Sequence, residues 1–319
     1  MEFAVNVPTS VGGSASSQYS MLPMADEISW EIQRDFGVEI EALGFDGLAV
    51  PDHVMTSESG TMECTTVLAA LAAATEAVYI YPKTINNPLR HGPFLAKTLA
   101  TVDVISDGRL KAGMGAGWKE DEAVAYGYDW PDAPTRLREL EETIDLMTRL
   151  WTEDEVDYDG DFYTLSGASC RPHPVQDPHP PIMVGGGGEQ FTLRIAAKYA
   201  DCWNYWGSTD VIQRKLDVLR NHCETYGTDY DAIQKSWFAR CAIRETDDEV
   251  ADLLEEAPRF KDENVSEDEN HLVGTPEEIV ADVERYAEMG VEEVVVEFVD
   301  FPGTEGAEVF ANEVLPAFE

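Results

Sequence analysis

Basic residues are scarce in this chain. Its 319 residues include 22 lysines and arginines against 62 aspartates and glutamates, a formal net charge of −40. So little positive charge excludes nucleic acid and anionic membrane surfaces as partners, because both require basic contacts. Repulsion at this charge is screened within about 3 Å at 1 M salt. We therefore expect a protein adapted to molar salt, as in a halophilic organism.

Cysteine pairs and long hydrophobic runs are also lacking. The five cysteines are odd in number and never spaced Cys-x-x-Cys, which argues against a disulfide framework and a zinc site. Acidic residues are too numerous to mark any other metal cluster, so no metal is predicted. No stretch reaches the roughly 18 apolar residues of a membrane span. The first residues lack the basic start and apolar core of a signal peptide, so we expect a cytoplasmic protein.

Strand-like and helix-like segments alternate along the chain, which is 44% hydrophobic. This alternation is typical of a parallel sheet with crossover helices. Eight strands are predicted, at residues 3–7, 47–50, 78–85, 110–114, 182–184, 202–203, 237–243 and 294–298. The pattern predicts an α/β fold, a single (β/α)₈ TIM barrel domain over residues 1–319, with a doubly wound open sheet as the alternative.

An insertion is expected between strands 4 and 5, because about 65 residues separate them, more than one loop and helix need. The spacing of apolar residues predicts a helix at 134–151 and a hairpin at 156–165. A further helix is predicted at 275–289, where Thr275 and Glu278 form a capping box. Residues 245–270 read as an acidic, solvated helix and loop.

Asp52 and His53 follow the predicted second strand directly. The carboxyl ends of parallel strands form the active-site face of such enzymes. Histidine is the side chain that titrates near neutral pH without a shift, so His53 is the candidate for proton transfer. The alternative is a local turn that His53 caps together with Asp52.

Two glycine-rich segments end other predicted strands. Gly115, Ala116 and Gly117 follow the fourth strand, where a missing Cβ would let a flat ligand approach the backbone. Their spacing does not match a dinucleotide fingerprint. Gly185, Gly186, Gly187 and Gly188 follow the fifth strand and precede a helix predicted at 189–200. Free amides there could bind a phosphate, and the alternative is a tight turn.

Polar and aromatic side chains end the third and sixth strands. Thr84, Ile85, Asn86 and Asn87 stand where an apolar strand would continue, and the asparagines could pair with a heterocycle or form a turn before Pro88. Trp203, Tyr205 and Trp206 could form an aromatic wall, although the core is the favoured place for Trp203. No function is assigned to His91, His173, His179, His222 and His271.

These segments together resemble the luciferase-like flavin and deazaflavin oxidoreductases, the bacterial luciferase superfamily. The similarity lies in residues 44–53, 95–110, 113–122, 180–186 and 193–201, in the family's order. Within the superfamily, the Asp52-His53 pair resembles the branch that uses coenzyme F420, a 5-deazaflavin hydride carrier.

The resemblance implies a role for each position. Asp52 would hydrogen-bond the heterocycle, and His53 would exchange the substrate's proton near the hydride-transfer centre. The peptide at or beside Thr84-Ile85 would be a non-prolyl cis bond in a bulge supporting the convex face of the deazaflavin, with Asn86 beside it. Gly115, Ala116 and Gly117 would face the ring system, and the glycines at 185–188 would receive the phosphate.

The resemblance also limits the substrate. Sugar-phosphate dehydrogenases of this family carry a catalytic glutamate where this chain has Trp118 or Lys119, so glucose-6-phosphate oxidation is not implied. A polyanionic cofactor tail needs positive charge, for which Arg90, Arg136 and Arg171 are candidates.

Three functions are compatible with these observations. The first is hydride transfer between coenzyme F420 and a small organic substrate (an alcohol, carbonyl or activated alkene). The second is an FMN-dependent monooxygenase that receives reduced flavin from a partner reductase. The third is a flavin-binding barrel without catalysis. In each case we expect a homodimer.

Overall fold

Parallel strands and helices alternate in the computed structural model, which describes residues 1–10, 28–55, 60–256 and 271–318. The strands are β1 Glu2–Asn6, β2 Gly47–Val50, β3 Tyr79–Pro82, β4 Ile85–Asn86, β5 Ala112–Gly115, β6 Val156–Asp159, β7 Thr164–Ala168, β8 Ile182–Gly185, β9 Cys202–Tyr205, β10 Gln234–Ile243, β11 Leu272–Gly274 and β12 Glu293–Phe298. The helices are α1 Trp30–Ala42, α2 Cys64–Ala74, α3 Gly92–Ser106, α4 Glu120–Ala125, α5 Ala133–Thr152, α6 Thr192–Tyr199, α7 Thr209–Tyr226, α8 Asp247–Glu256, α9 Pro276–Glu288 and α10 Glu305–Glu313.

The strands form a parallel barrel. Their order is β3-β2-β1-β12-β10-β9-β8-β5-β4, and a parallel bridge between Ile80 and Leu110 joins the two ends of this order. β3 and β4 share one barrel position, because β3 pairs with β2 and β4 pairs with β5. The predicted TIM barrel is confirmed, and the open-sheet alternative is wrong because the first and last strands of an open sheet do not meet.

A cis peptide bond joins Lys83 to Thr84 between β3 and β4. The prediction of a non-prolyl cis bond at or beside Thr84-Ile85 is therefore confirmed, one bond earlier than the pair named. The backbone amide of Lys83 still donates to the carbonyl of Val50 at 2.7 Å.

Residues 116–181 lie between the barrel strands β5 and β8. They contain α4, α5 and the antiparallel hairpin β6–β7. The indole of Trp151 on α5 donates to the carbonyl of Ala96 on α3 at 2.9 Å, which ties α5 to the outer helical layer.

Helix boundaries follow local capping chemistry. The predicted helix at 275–289 is α9, and its capping box is present, with the amide of Thr275 donating to Glu278 at 2.9 Å. The helix predicted at 189–200 is wrong at its start, because residues 189–191 form a turn and α6 begins at Thr192. α8 occupies the start of the acidic segment predicted at 245–270, and residues 257–270 lie outside the described residues.

Inward-facing residues of the barrel form layers, since side chains alternate along each strand. The middle layer is apolar and buried, and consists of Ala4, Ala49, Tyr81, Met183, Cys202 and Val295. Below it, at the amino-terminal ends of the strands, the ammonium of Lys111 contacts Glu293 at 3.0 Å and Glu2 at 3.4 Å. Polar residues form the layer above. The barrel is thus closed at its lower end in the described residues and polar at its upper end.

In the described part of the chain, no helix is long and apolar enough to cross a membrane.

Candidate active site

A cavity of about 490 Å³ lies at the carboxyl ends of the barrel strands. This size is typical of a pocket that encloses a small ligand. Ten of the predicted site residues line it: Asp52, His53, Thr84, Ile85, Asn86, Gly115, Ala116, Gly117, Gly185 and Gly186. The structure therefore brings together residues that are up to 134 positions apart in the chain.

His53 is paired with a buried glutamate. Its Nδ1 lies 2.7 Å from Oε1 of Glu122, a carboxylate that is fully buried. The other oxygen of Glu122 accepts the amides of Val54 at 2.8 Å and Met55 at 3.3 Å. Both carboxylate oxygens are thus used to hold the segment that carries His53.

The charge of Glu122 determines which imidazole nitrogen carries hydrogen. Burial raises the pKa of Glu122, but the hydrogen bond from His53 and the amide of Val54 outweigh it, so that the pKa is lowered overall. An ionised carboxylate can only accept hydrogen bonds. Nδ1 of His53 is therefore the donor in this contact, and Nε2 is the ring nitrogen that Glu122 does not hold.

Glu122 was not identified from the sequence. It is one of 62 acidic residues and follows Glu120 and Asp121 directly. Its burial depends on α4 packing beside the end of β2, which no local pattern reveals. Glucose-6-phosphate dehydrogenation was set aside because residues 118 and 119 lack a carboxylate; the carboxylate of Glu122 lies behind His53 and does not line the cavity among the described residues.

Asp52 is held by two donors. Oδ2 accepts the amide of Asn86 at 2.8 Å, and Oδ1 accepts from the guanidinium of Arg90 at 2.6 Å. Burial raises the pKa of Asp52, and Arg90 and the Asn86 amide only partly oppose this. Asp52 thus joins the end of β2 to the bulge at β4, from a position in the cavity wall.

The arginines proposed for the cofactor tail are engaged elsewhere. Arg90 also contacts Glu63 at 2.8 Å. The guanidinium of Arg136 donates to the carbonyls of Ala116 and Pro131. Arg171 is exposed and pairs with Asp154. None of the three lines the cavity within the described residues.

The glycines at the ends of β5 and β8 make room for the bulge residues Thr84 and Asn86, and do not leave open space. A Cβ on Gly115 would collide with Oγ1 of Thr84, and one on Gly117 would collide with Oδ1 of Asn86. On Gly185 it would lie 2.6 Å from Cγ2 of Thr84. The expectation that these glycines make direct room for a ligand is therefore incomplete: they let Thr84 and Asn86 pack closely, and together these residues form a flat wall.

The four consecutive glycines divide into two pairs. Gly185 and Gly186 line the cavity, while Gly187 and Gly188 lie beyond its lining. The amide of Gly186 donates to the carbonyl of Asn204 at 3.1 Å and is not free. A Cβ on Gly187 would meet the ring of Tyr205 at 2.3 to 2.6 Å, so this glycine makes room for an aromatic residue. The glycines do not adjoin a helix N-terminus directly, because α6 starts at Thr192, four residues after Gly188.

Aromatic side chains form one side of the cavity. Tyr205 and Trp206 line it, with ring centroids 5.5 Å apart. Trp203 is 1% exposed and belongs to the core, as the alternative reading held. Trp118 also lines the cavity and is 57% exposed, which places it at the rim. His271, to which no function was assigned, lines the cavity too.

The wall opposite the glycines carries charge. Glu297 on β12 accepts from Nδ2 of Asn6 at 2.6 Å and from Nε of Arg240 at 3.0 Å. Lys83 faces these residues with its ammonium 3.4 Å from the ring centroid of Phe238. All five residues line the cavity. A signal existed in the sequence, since Lys83, Arg240 and Glu297 interrupt otherwise apolar strands at inward-facing positions.

The wall formed by Thr84, Asn86 and the glycines suits a flat heterocycle. Gly115, Gly117 and Gly185 project no side chain from this wall, so a planar ring would lie against the backbone. Oδ1 of Asn86 is buried, is packed against Gly117 and has no hydrogen-bond partner among the described residues.

Known proteins were compared with this chain. The profile of the luciferase-like monooxygenase family matches residues 1–268. An F420-dependent glucose-6-phosphate dehydrogenase of Microbacterium testaceum is 28% identical over 312 residues, covering 88% of this chain and 91% of that protein. An FMNH₂-dependent dimethylsulfone monooxygenase of Pseudomonas putida is 27% identical over 358 residues, covering 99% and 94%.

A solved structure shares the fold. It is an F420-dependent secondary alcohol dehydrogenase in complex with an F420–acetone adduct, with a TM-score of 0.81 at 19% identity over 100% of this chain and 99% of that one. The family profile covers most of the chain, and the barrel with its cavity agrees with it. The chain belongs to the luciferase-like monooxygenase family of oxidoreductase enzymes.

Proposed function

We propose that this protein transfers a hydride between coenzyme F420 and a small organic substrate (an alcohol, carbonyl or activated alkene). The observation that carries the proposal is the His53–Glu122 pair, because it places a proton-exchanging imidazole beside a wall suited to a planar ring. F420-dependent enzymes among the similar proteins support the choice of cofactor.

The proposed binding roles follow from the geometry. Thr84, Ile85 and Asn86 support one face of the deazaflavin, and Gly115, Ala116 and Gly117 lie beside its ring system. Asn86 belongs to the same wall, with its side-chain oxygen packed against Gly117. Asp52 holds the Asn86 amide in place. Gly185 and Gly186 lie nearest the phosphate, with Gly187 and Gly188 shaping the turn that follows them.

The proposed catalytic role belongs to His53. A deazaflavin held in this cavity would supply the hydride acceptor or donor. Oxidation of an alcohol also requires removal of the hydroxyl proton, and reduction of a carbonyl requires its return. Nε2 of His53 exchanges this proton, while Glu122 holds Nδ1 and stabilises the positive charge of the protonated ring. Glu122 is thus a positioning residue.

Two other functions remain as alternatives. An FMN-dependent monooxygenase fed by a partner reductase is favoured by the similar dimethylsulfone monooxygenase. A flavin-binding barrel without catalysis would leave His53 with a structural role only.

The experiment that separates these functions is reconstitution of the purified protein in molar potassium chloride. Titration with F420 and with FMN, followed by absorbance and fluorescence quenching, identifies the cofactor. Single-turnover reduction of bound F420 by a panel of alcohols then tests hydride transfer. Preferential binding of FMN would overturn the F420 proposal, and tight F420 binding without hydride transfer to or from any member of an alcohol, carbonyl and enone panel would favour the non-catalytic barrel.

We further propose that the protein acts as a homodimer in the cytoplasm of a halophile. Exposed apolar side chains on α3 support the dimer: Phe94 is 71% exposed and Ile105 is 45% exposed, three helical turns apart on the same side. Sedimentation of the parent and of Phe94→Glu at equal protein and salt concentration tests this, with a monomeric parent as the contradicting result.

A further inference from the structure

The charged wall of the cavity contains one positive charge that lacks a direct partner. Lys83 makes no hydrogen bond or ion pair through its ammonium to any residue in the described ranges, and its contact is the ring of Phe238 at 3.4 Å. A cation over an aromatic face is stabilised, but this contact does not replace the hydrogen bonds of water. Burial accordingly lowers the pKa of Lys83 to about 8, although the charge of Glu297 opposes the effect.

The neighbouring charges neutralise each other. Arg240 contacts Glu297 at 3.0 Å, and the second oxygen of Glu297 is held by Asn6. The Arg240–Glu297 pair is therefore close to neutral as a unit. Among the described residues, the charge beside this pair that is not balanced by a direct contact is the positive charge of Lys83, in a protein whose net charge is −40.

Asn6 and Glu297 lie across the barrel from the proposed cofactor site. In the barrel order, β12 with Glu297 lies four positions from β5 with Gly115, and β1 with Asn6 lies four positions from β8 with Gly185. In an eight-position barrel these are opposite sides. Lys83 itself joins β3 to β4 next to Thr84, and its ammonium reaches Phe238 on β10, four positions away across the barrel. A ring bound against the glycines would leave the space beside Glu297 and this ammonium for the substrate.

We propose that Lys83 binds a carboxylate group of the substrate, so that the enzyme acts on small monoanionic organic acids. This inference rests on the proposed function, because it names the substrate class of the same site. One carboxylate matches the one unpaired positive charge. A phosphate ester with two negative charges would leave an excess negative charge beside Glu297, which is costly in a cavity of low dielectric.

The test uses cofactor-free protein and two probes of equal shape, benzoate and neutral benzamide. Trp118 and Trp206 line the cavity, so quenching of tryptophan fluorescence reports binding. We expect the parent protein to bind benzoate at least about tenfold more tightly than benzamide, because a buried cation and anion pair directly. Lys83→Met should reduce this ratio to about one, and Lys83→Arg should restore most of it. The matched control is Lys198→Met, on a lysine that pairs with Glu141 outside the cavity.

Three results would overturn the inference. The first is no benzoate preference in the parent, including failure to bind either probe. The second is an unchanged ratio in Lys83→Met. The third is a loss of F420 affinity in Lys83→Met with the benzoate preference intact, which would assign Lys83 to the cofactor. A benzoate preference that depends on Lys83 in a protein that does not bind F420 would uphold this inference and overturn the proposed function alone.

Discussion

His53 and Glu122 are 69 residues apart in the chain, yet Nδ1 of the first lies 2.7 Å from a carboxylate oxygen of the second. Glu122 also accepts two backbone amides of the segment after His53. The imidazole is therefore fixed in position and in tautomer before any ligand binds. Preorganisation of this kind lowers the cost of proton transfer, because nothing has to be reoriented during the reaction.

Replacement of His53 tests the proposed proton transfer. His53→Ala should leave F420 affinity within about tenfold, since one hydrogen bond is worth only about 0.5–1.5 kcal/mol. Hydride transfer should slow by about 10² to 10⁴, the usual contribution of a positioned acid or base. F420 titration and single-turnover absorbance measure the two effects separately. A variant that transfers hydride at the parent rate would leave His53 a structural residue.

Replacement of Glu122 tests the positioning role. Glu122→Gln keeps the shape but removes the charge that favours the protonated imidazole, so hydride transfer should fall by about tenfold or more. The loss should vary with pH, whereas a purely structural defect would lower the rate equally at all pH values. Single-turnover rates from pH 5 to pH 9 (roughly the range in which histidine titrates) distinguish these outcomes. The exposed neighbour Glu120, changed to Gln, is the control and should behave as the parent.

The close packing of Thr84 against Gly115 predicts an interaction between two substitutions. Gly115→Ala should lower the free energy of unfolding by about 1–3 kcal/mol, because the new methyl group overlaps Oγ1 of Thr84. Thr84→Ala removes that oxygen, so the double variant should recover at least about 1 kcal/mol relative to the sum of the single changes. Denaturant titration of all four proteins gives the coupling energy. Strict additivity would show that the two residues do not limit each other.

Lys83 predicts a stability difference that depends on pH. Its pKa is lowered to about 8 in the folded protein, from 10.5 when unfolded. The folded state therefore disfavours the charged form, and this cost is present below pH 8 and disappears between pH 8 and 10.5. Lys83→Met should thus stabilise the protein by about 1–3 kcal/mol at neutral pH. The gain should shrink as the pH rises toward 10.5.

Chemical denaturation of the parent and Lys83→Met at neutral pH and at alkaline pH checks this difference. Lys198→Met serves as the control and should gain no stability, because its pKa is raised by the hydrogen bond to Glu141 despite the opposing effect of burial. A stability gain that is the same at both pH values would mean that Lys83 is not destabilised by its charge.

The net charge of −40 predicts a dependence on salt. The protein should lose structure in dilute buffer and regain it in molar potassium chloride, where charge repulsion is screened within about 3 Å. Circular-dichroism melts between about 0.1 and 2 M salt measure the effect. A melting temperature that does not change over this range would refute the expected adaptation to salt.

The barrel could be predicted because each strand has a local sequence signal. Apolar runs bounded by turn residues locate the barrel strands, although the strand predicted at 78–85 is divided into β3 and β4 and β11 was not predicted. Asp52 and His53 stand out because they end such a run. Glu122 could not be predicted, because an acidic residue in an acidic helix carries no local sign of which face is buried. The glycines were recognised from the sequence, but the reason why glycine is needed there was not. A Cβ on Gly115 or Gly185 would collide with Thr84, and this contact between β5 or β8 and the bulge is not visible in the sequence.

The start of α6 shows a different limit. The glycines at 185–188 and the apolar spacing that follows suggested an immediate helix. In the structure, Phe191 takes the N-cap position and the carbonyl of Gly188 accepts the amide of Leu193. Choosing between a turn and a first helical turn requires knowledge of what each backbone group contacts, here Asn204 on the neighbouring strand.

The polar and apolar layers at the lower end of the barrel close that end to ligands in the described part of the chain. Lys111 and Glu293 meet there, and above them the layer around Tyr81 is buried in the described part of the chain. In the described part of the chain, ligands therefore reach and leave the cavity from the carboxyl ends of the strands, where Trp118 lies at the rim. A bulky cofactor and a small substrate that share this entrance cannot pass each other. Steady-state kinetics should therefore follow a compulsory order of binding and release.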